Sequence, residues 1–364
     1  GRAVCAGRIQ SSVVQNHRRF LSMNQQWRLA RTPAAGWPTD GDFEWIELSA
    51  PEPRAGQCLT ETLYLSLDPY QWGRRRTGAE PPGSVCHGRT VSRVLQSRHP
   101  DYQAGDYLFN TNGWQRLGLT GAGVTDFGYM QPRRLDPKLA PLSSALGVMG
   151  MLGLTAYAGM LVQCQPIAGE TVVVSAASGG VGQIAGQLAK LAGARVVGIA
   201  GDPKKVAFCK TRLGFDDCVS HLDPDFPEAL RAACPDGVDV YFENVGGKVF
   251  EGVLPRLNAK ARITLCGIIA QYGDTSGQSP RDTWLAVGEP VFRAQKIQVH
   301  PLFVGDFVPS HQAEFLALMG DYLQQQKIVY LEDFRAGLEV APTAFTEMLR
   351  GGNFGKTLVV VKDP

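Results

Sequence analysis

Short apolar runs punctuated by Pro and Gly fill the first part of the chain: Phe43 to Leu48, Cys58 to Leu65, Val91 to Gln96 and Tyr107 to Phe109. Their length and spacing predict the strands of a compact β domain from Trp27 to about Leu142, with the glycine-rich stretch Gly113 to Gly128 as surface loops. From Ser143 to about Phe307 the pattern changes. Buried-strand runs such as Val172 to Val174, Arg195 to Ile199, Val238 to Phe242 and Ile263 to Cys266 alternate with helix-like segments such as Glu228 to Ala233. Such alternation predicts an α/β unit built on a parallel sheet with both faces covered. A helix around Ala313 to Gln325, a strand-like Val329 to Phe334, a helix around Thr343 to Leu349 and a strand Thr357 to Val361 follow, and are expected to complete the first domain.

The junction after Val174 carries the strongest signal. Gly179, Gly180 and Gly182 come directly after the apolar run, and Val181, Ile184, Ala185, Leu188 and Leu191 then recur at helical spacing. Strand, glycine turn and helix in that order describe a dinucleotide-binding βαβ unit of the Rossmann type. The free N–H groups and positive dipole end of the helix would meet a pyrophosphate at Ser178 to Gly182. Ala177 occupies the first glycine slot of the fingerprint.

The end of the next strand bears on which dinucleotide. An acid there would accept from a ribose 2′-OH and repel a 2′-phosphate; Ala200 and Gly201 stand in its place, followed by Lys204 and Lys205. NADP(H) is favoured, with Asp202 as a nearby charge that could partly neutralise the lysines.

Composition narrows the classes further. With 364 residues, two domains are expected, and 44% hydrophobic with 19% charged residues describes a globular protein. No apolar run has the length of a membrane span, and a net charge of +2 offers no field for nucleic acid. Eight scattered cysteines without a CxxC pair fit a reducing compartment, hence the cytoplasm. Residues 1–22 carry arginines and no acid, which suits either a mitochondrial transit peptide or an upstream extension before Met23.

Several segments together resemble one family: LSLDPY at Leu65 to Tyr70, SRHPDYQAGD at Ser97 to Asp106, GWQ at Gly113 to Gln115, GLTAYAGM at Gly153 to Met160, DVYFENVGG at Asp239 to Gly247, CGIIAQY at Cys266 to Tyr272 and GGNFGK at Gly351 to Lys356. With the glycine turn, they make the chain similar to zinc-independent medium-chain dehydrogenases/reductases of the branch with prostaglandin and leukotriene reductases, alkenal double-bond reductases and bacterial curcumin reductases. The resemblance implies a GroES-like β-rich domain over 23–142 and 308–364 and a Rossmann domain over 143–307, in a homodimer. It implies reduction by NADPH of a carbon–carbon double bond conjugated to a carbonyl, in a small unsaturated ketone or aldehyde. Lys205 would hold the 2′-phosphate; His221 stands where relatives carry a tyrosine that also touches it, and is either a second partner or a surface residue. Asn244 and Asn353 would contact the cofactor, as would Gly201, Cys266, Gly267 and Ile268, and also Leu302, Phe303 and Val304.

Hydride delivery to the β-carbon drives charge onto the carbonyl oxygen, so the chemistry needs a donor aimed at the developing enolate. Tyr272 is the first candidate, with water or a cofactor hydroxyl as the competing proton source, and Tyr70 is the second, as donor or pocket wall. A zinc enzyme of the same plan would need an open Cys/His site, and Cys86 with His87 lacks the rest of one, so no metal is expected and the pair is assigned to pocket wall or packing. Two alternatives stay open: an NADPH quinone oxidoreductase, and a non-catalytic NADPH-binding regulatory protein.

Overall fold

The computed structural model describes residues 23–124 and 129–364. The extension 1–22 lies outside the described residues, as does the end of the glycine-rich stretch at 125–128. Strands β1 (Met23–Leu29) and β2 (Phe43–Ser49) form an antiparallel pair. Strands β3 (Gln57–Ser66), β4 (Thr90–Ser97), β5 (Tyr107–Asn110), β6 (Leu117–Gly121) and β7 (Arg133–Leu135) build a larger antiparallel system. The parallel sheet holds β8 (Thr171–Val174), β9 (Arg195–Ala200), β10 (Asp217–Ser220), β11 (Val238–Glu243), β12 (Leu257–Leu265) and β13 (Gln298–Pro301). Strands β14 (Glu332–Ala336) and β15 (Lys356–Val360) return to the first system, where β15 pairs with β3.

The parallel sheet runs β10-β9-β8-β11-β12-β13. Counted from β8 this is 3-2-1-4-5-6, the doubly wound order whose strand sequence reverses between the first and fourth strands and opens a ligand crevice there. Each face carries its own core: Val172, Val174, Ile184 and Phe242 on one side, and Val173, Val197, Tyr241 and Trp284 on the other. The helix Val308–Gln324 adds Phe315 and Met319 to the first of these cores, although the expected boundary before Val308 assigns it to the β-rich part. In that part Phe43, Trp114 and Phe345 surround the fully buried Arg75, whose guanidinium lies 4.5 Å from the Trp114 ring and 4.9 Å from that of Phe345. Stacking of a desolvated cation on aromatic faces contributes about 2 kcal/mol, and it fixes the helix Tyr70–Arg76 against the strands.

Two expectations need correction. The stretch from Gly113 contains β6, which pairs with β3 from Leu117 to Gly121. Its glycines disguise it: a Cβ on Gly118 would lie 2.2 Å from Asn112 Oδ1, so the strand keeps a gap for a buried amide. The last part of the chain also pairs later than expected, with β14 beginning at Glu332 instead of Val329. The amides of two buried glutamines occupy the backbone before it, Gln187 bonding both N–H and C=O of Val329 and Gln183 those of Leu331, at 2.6 to 3.0 Å.

Candidate functional site

At the crevice, β8 runs into Ser175 and Ala176, and the helix Gly182–Leu191 starts after the turn. A Cβ on Gly182 would sit 2.1 Å from the Ala176 carbonyl oxygen, so only glycine lets the helix approach the strand this closely. Ala177 fits the first glycine slot because its methyl faces Gly198 on β9; a Cβ added at 198 would be 2.8 Å from it. The departure from the fingerprint is thus balanced one strand away. Ahead of the helix the Gly179 N–H donates to the Ala176 carbonyl at 3.0 Å, whereas those of Ser178, Gly180 and Val181 donate to no backbone carbonyl among the described residues.

Beyond β9, Gly201 and Lys205 come beside His221. His221 donates its backbone N–H to the Ala200 carbonyl at 3.0 Å, and its Nε2 would lie 3.7 Å from a Cβ on Gly201. Asp202 does not neutralise the lysine ammonium groups through an ion pair; its Oδ1 caps the helix Pro203–Thr211 by accepting the Lys205 N–H at 3.0 Å. The Lys205 ammonium instead reaches the Gly351 carbonyl at 2.8 Å, and Phe208 meets Phe354 edge to face at 5.2 Å. These contacts bring the 351–355 loop over the strand end. Burial, then the neighbouring charges of Lys205 and Lys248, lower the His221 pKa and keep the ring neutral. Lys248 was not singled out in the sequence; it opens a helix far along the chain, and only the fold brings it here. Asn353 turns its amide onto the Gly355 carbonyl at 2.9 Å, so its side chain serves its own turn.

Along the crevice, Asn244 ties β11 to β8 twice: its N–H donates to Ser175 Oγ and its Nδ2 to the Ser175 carbonyl, both at 2.8 Å. Behind it the buried Glu243 side chain accepts from Tyr241 Oη, the Val245 and Gly246 N–H groups and Trp284 Nε1 at 2.7 to 2.9 Å. Its carbonyl receives the N–H groups of Cys266 and Gly267, each at 3.0 Å. Ser175 and Glu243 therefore set the loops that carry Asn244 and Cys266 to Ile268. Neither is marked in the sequence, because Ser175 acts on Asn244 far along the chain and Glu243 acts on Cys266 and Gly267 as well as on its own loop. The Cys266 thiol is pushed up to about 12, chiefly by burial, and is unreactive as a nucleophile. Leu302 continues the β12 pairing through its N–H to the Leu265 carbonyl at 3.1 Å, and Phe303 beside it is 53% exposed. Val304 begins the short helix that follows.

Tyr272 packs against both the parallel-sheet core and the aromatic core of the β-rich part. Its carbonyl accepts from Arg76 at 2.6 Å, which joins it to the helix that begins with Tyr70. Burial raises its pKa, so the phenol stays protonated and able to donate. Tyr70 lies apart from Tyr272 in a buried polar knot. Its hydroxyl meets His87 Nε2 at 2.6 Å, while Asp68 holds Arg89 at 2.8 Å and Lys356 at 3.0 Å. Lys356 also passes beside the glycine turn, since a Cβ on Gly180 would be 3.3 Å from its Cδ. The knot therefore borders the crevice.

A family model described as zinc-binding dehydrogenase matches residues 180–314, and one described as the N-terminal domain of oxidoreductase matches 25–124. Although the first description mentions zinc, no three His, Cys, Asp or Glu side chains group as a metal site among the described residues. The chain is 42% identical to the NADPH-dependent curcumin reductase of Escherichia coli, covering 93% of this chain and 97% of that one. It is 36% identical to the NADP(+)-dependent 2-alkenal reductase of Nicotiana tabacum, over 90% and 94% of the two chains. The solved structure of CurA from Vibrio vulnificus in complex with NADPH superposes with a TM-score of 0.85 at 41% identity, covering 93% of this chain and all of that one. Identity of 36–42% over nearly the full length of these relatives, with a fold that superposes on that of a solved member, places this chain in the zinc-independent medium-chain dehydrogenases/reductases, in the branch of the curcumin, alkenal and prostaglandin reductases.

Proposed function

We propose that the protein uses NADPH to reduce the carbon–carbon double bond of α,β-unsaturated ketones and aldehydes. The observation that carries this is a crevice whose strand end at Ala200 and Gly201 has no acid but has Lys205, His221 and Lys248 together, with the Tyr272 hydroxyl beside Gly267 on the loop after β12. The named activities of the relatives in curcumin, alkenal and prostaglandin reduction support it.

Bound NADPH would supply a hydride to the substrate β-carbon. The chain's own residues do the rest. The N–H groups of Ser178, Gly180 and Val181 receive the pyrophosphate, and Lys205 exchanges its Gly351 carbonyl for the 2′-phosphate. Asn244, fixed by Ser175, presents the loop edge on which the nicotinamide end would rest. As the hydride arrives, negative charge grows on the carbonyl oxygen, and the Tyr272 hydroxyl donates to it. A proton added at the α-carbon, from Tyr272 or from water that replenishes it, completes the saturated product. We extend the expectation of a homodimer to this chain from the resemblance, with the mass of the purified protein in solution as its check.

The test is loss of NADPH absorbance on mixing purified protein with a panel of enals, enones and quinones. Consumption with enals and enones is expected. Consumption with quinones alone would move the protein to quinone reduction, and none across the panel would leave a binding protein without this activity.

A further inference from the structure

We propose that Arg76 is a positioning residue for Tyr272: together with Trp37 it clamps the loop after β12 against the β-rich part and so sets the phenol for proton donation. The inference rests on the reductase reading above. Its basis is the fork of two hydrogen bonds that Arg76 makes to the loop backbone, Nη1 to the Tyr272 carbonyl at 2.6 Å and Nη2 to the Asp274 carbonyl at 3.2 Å. A planar guanidinium holds two acceptors in one fixed arrangement. The Asp274 carboxylate, although on the same loop, is engaged by Ser276, whose N–H and Oγ meet it at 3.0 and 2.5 Å. Arg76 therefore grips backbone, and with it the peptide plane that follows Tyr272.

The loop changes hands at Tyr272. Before it, the Ile269 and Ala270 N–H groups donate to the Asn244 and Val245 carbonyls at 3.1 and 3.0 Å, so this half follows the dinucleotide part. After it, from Gly273 to Gln278, the hydrogen bonds among the described residues stay within the loop, apart from the one that Arg76 makes. Residues 274–279 are exposed. The second half thus takes its place from the β-rich part.

Trp37 supplies the other jaw. A Cβ on Gly273 would lie 2.4 Å from Trp37 Cε2, so the indole rests against the Gly273 backbone, and a Cβ on Gly36 would be 3.6 Å from Thr275 Cγ2. This segment is anchored to the helix that carries Arg76, because the buried Trp72 donates its Nε1–H to the Gly36 carbonyl at 3.0 Å. The Arg350 guanidinium stands 5.9 Å from the Trp37 ring. One helix, Tyr70–Arg76, therefore presents both jaws. The Tyr272 hydroxyl lies at the far end of its side chain, beside Gly267, and a small rotation of the 272–273 peptide swings it out of place. A misplacement of roughly 1 Å at a reacting group lowers a rate about a hundredfold.

The test compares Arg76→Ala, Arg76→Lys, Gly273→Ala, Tyr272→Phe and the double variant Arg76→Ala/Tyr272→Phe, with benzylideneacetone as substrate. Arg76→Ala should lower kcat by about tenfold to a hundredfold, with NADPH affinity measured by its fluorescence unchanged. Arg76→Lys, which reaches one carbonyl but not both, should fall between Arg76→Ala and the parent. Gly273→Ala, which drives the indole off the loop from the other side, should also lower kcat. The double variant should be no slower than Tyr272→Phe. A parent-like kcat in Arg76→Ala or Gly273→Ala, additive losses in the double variant, or a parent-like Tyr272→Phe would overturn the proposal. Hydrogen exchange on the NADPH complex is a readout independent of turnover: the amides from Tyr272 to Gly277 should exchange several-fold faster in Arg76→Ala, with those of β8 and β11 unchanged. Should the parent itself turn over no enone, the reductase reading fails separately. Exchange then decides about the clamp, faster exchange across 272–277 supporting it and unchanged exchange overturning it.

Discussion

Lys205 is a residue whose candidacy comes from the sequence and whose geometry comes from the structure. The missing acid at the end of β9 is visible in the sequence, and so is the lysine that follows. The structure adds what composition cannot: the Lys205 ammonium rests on Gly351, close to the neutral His221, while Asp202 is occupied as a helix cap. Replacing Lys205 with Ala should therefore raise the KM for NADPH by about tenfold or more, corresponding to at least 1.4 kcal/mol, with little change for NADH. Equal effects on both cofactors would remove it from phosphate recognition. For Tyr272→Phe, turnover should fall while NADPH binding measured by fluorescence stays the same, because the proposed role belongs to the hydroxyl and not to the ring. An unaffected rate would identify solvent as the proton source. Ser175, Glu243 and Lys248 escaped notice for one reason: each acts on partners more than twenty residues away in sequence, and no local pattern marks such a contact.

At the scale of elements, the glycine turn is the piece that tolerates least change. A methyl on residue 182 would overlap the Ala176 carbonyl at 2.1 Å, and backbone on backbone has little room to yield. Gly182→Ala should cost about 1–3 kcal/mol of stability and abolish NADPH binding, as read from thermal unfolding with and without cofactor; an unchanged melting temperature shift by NADPH would show that the helix can move. The polar knot gives a pH dependence of definite sign. Burial, followed by the charges of Arg74, Arg89 and Arg75, holds the His87 pKa down at about 3. An unfolded chain binds that proton from about pH 6.5 downward and the folded one does not, so stability from this group is complete above 6.5 and is lost as the pH falls toward 3. Between pH 7.5 and 5 the loss is about 2 kcal/mol. The parent should thus lose more stability over this range than His87→Leu, and parallel curves would contradict the assignment. Four of the six strands of the parallel sheet, β8, β9, β11 and β12, were legible from alternation and apolar runs. β6 and the late start of β14 were not, because the first is broken by Gly118 and the second is preceded by glutamine amides standing in for a neighbouring strand.

Across the whole molecule, several contacts join the β-rich part to the dinucleotide part. Gln183 and Gln187 grip the segment before β14, the Lys205 ammonium reaches the Gly351 carbonyl, the Lys356 side chain packs beside Gly180 of the glycine turn, and Arg76 holds the Tyr272 carbonyl. Each ties a residue near the expected chemistry to the opposite part, so the crevice is a property of both. The sequence pattern showed two architectures and the order in which they occur. It could not show where they meet, since Lys205, Lys356 and Arg76 are ordinary charged residues whose partners lie more than a hundred residues away. The central claim is hydride transfer to the β-carbon of a conjugated double bond. It is tested most directly by incubating the protein with NADPH deuterated at the nicotinamide C4 and benzylideneacetone, then locating deuterium in the product. Saturated ketone carrying one deuterium at the β-carbon is the predicted result; an allylic alcohol labelled at the carbonyl carbon would contradict it.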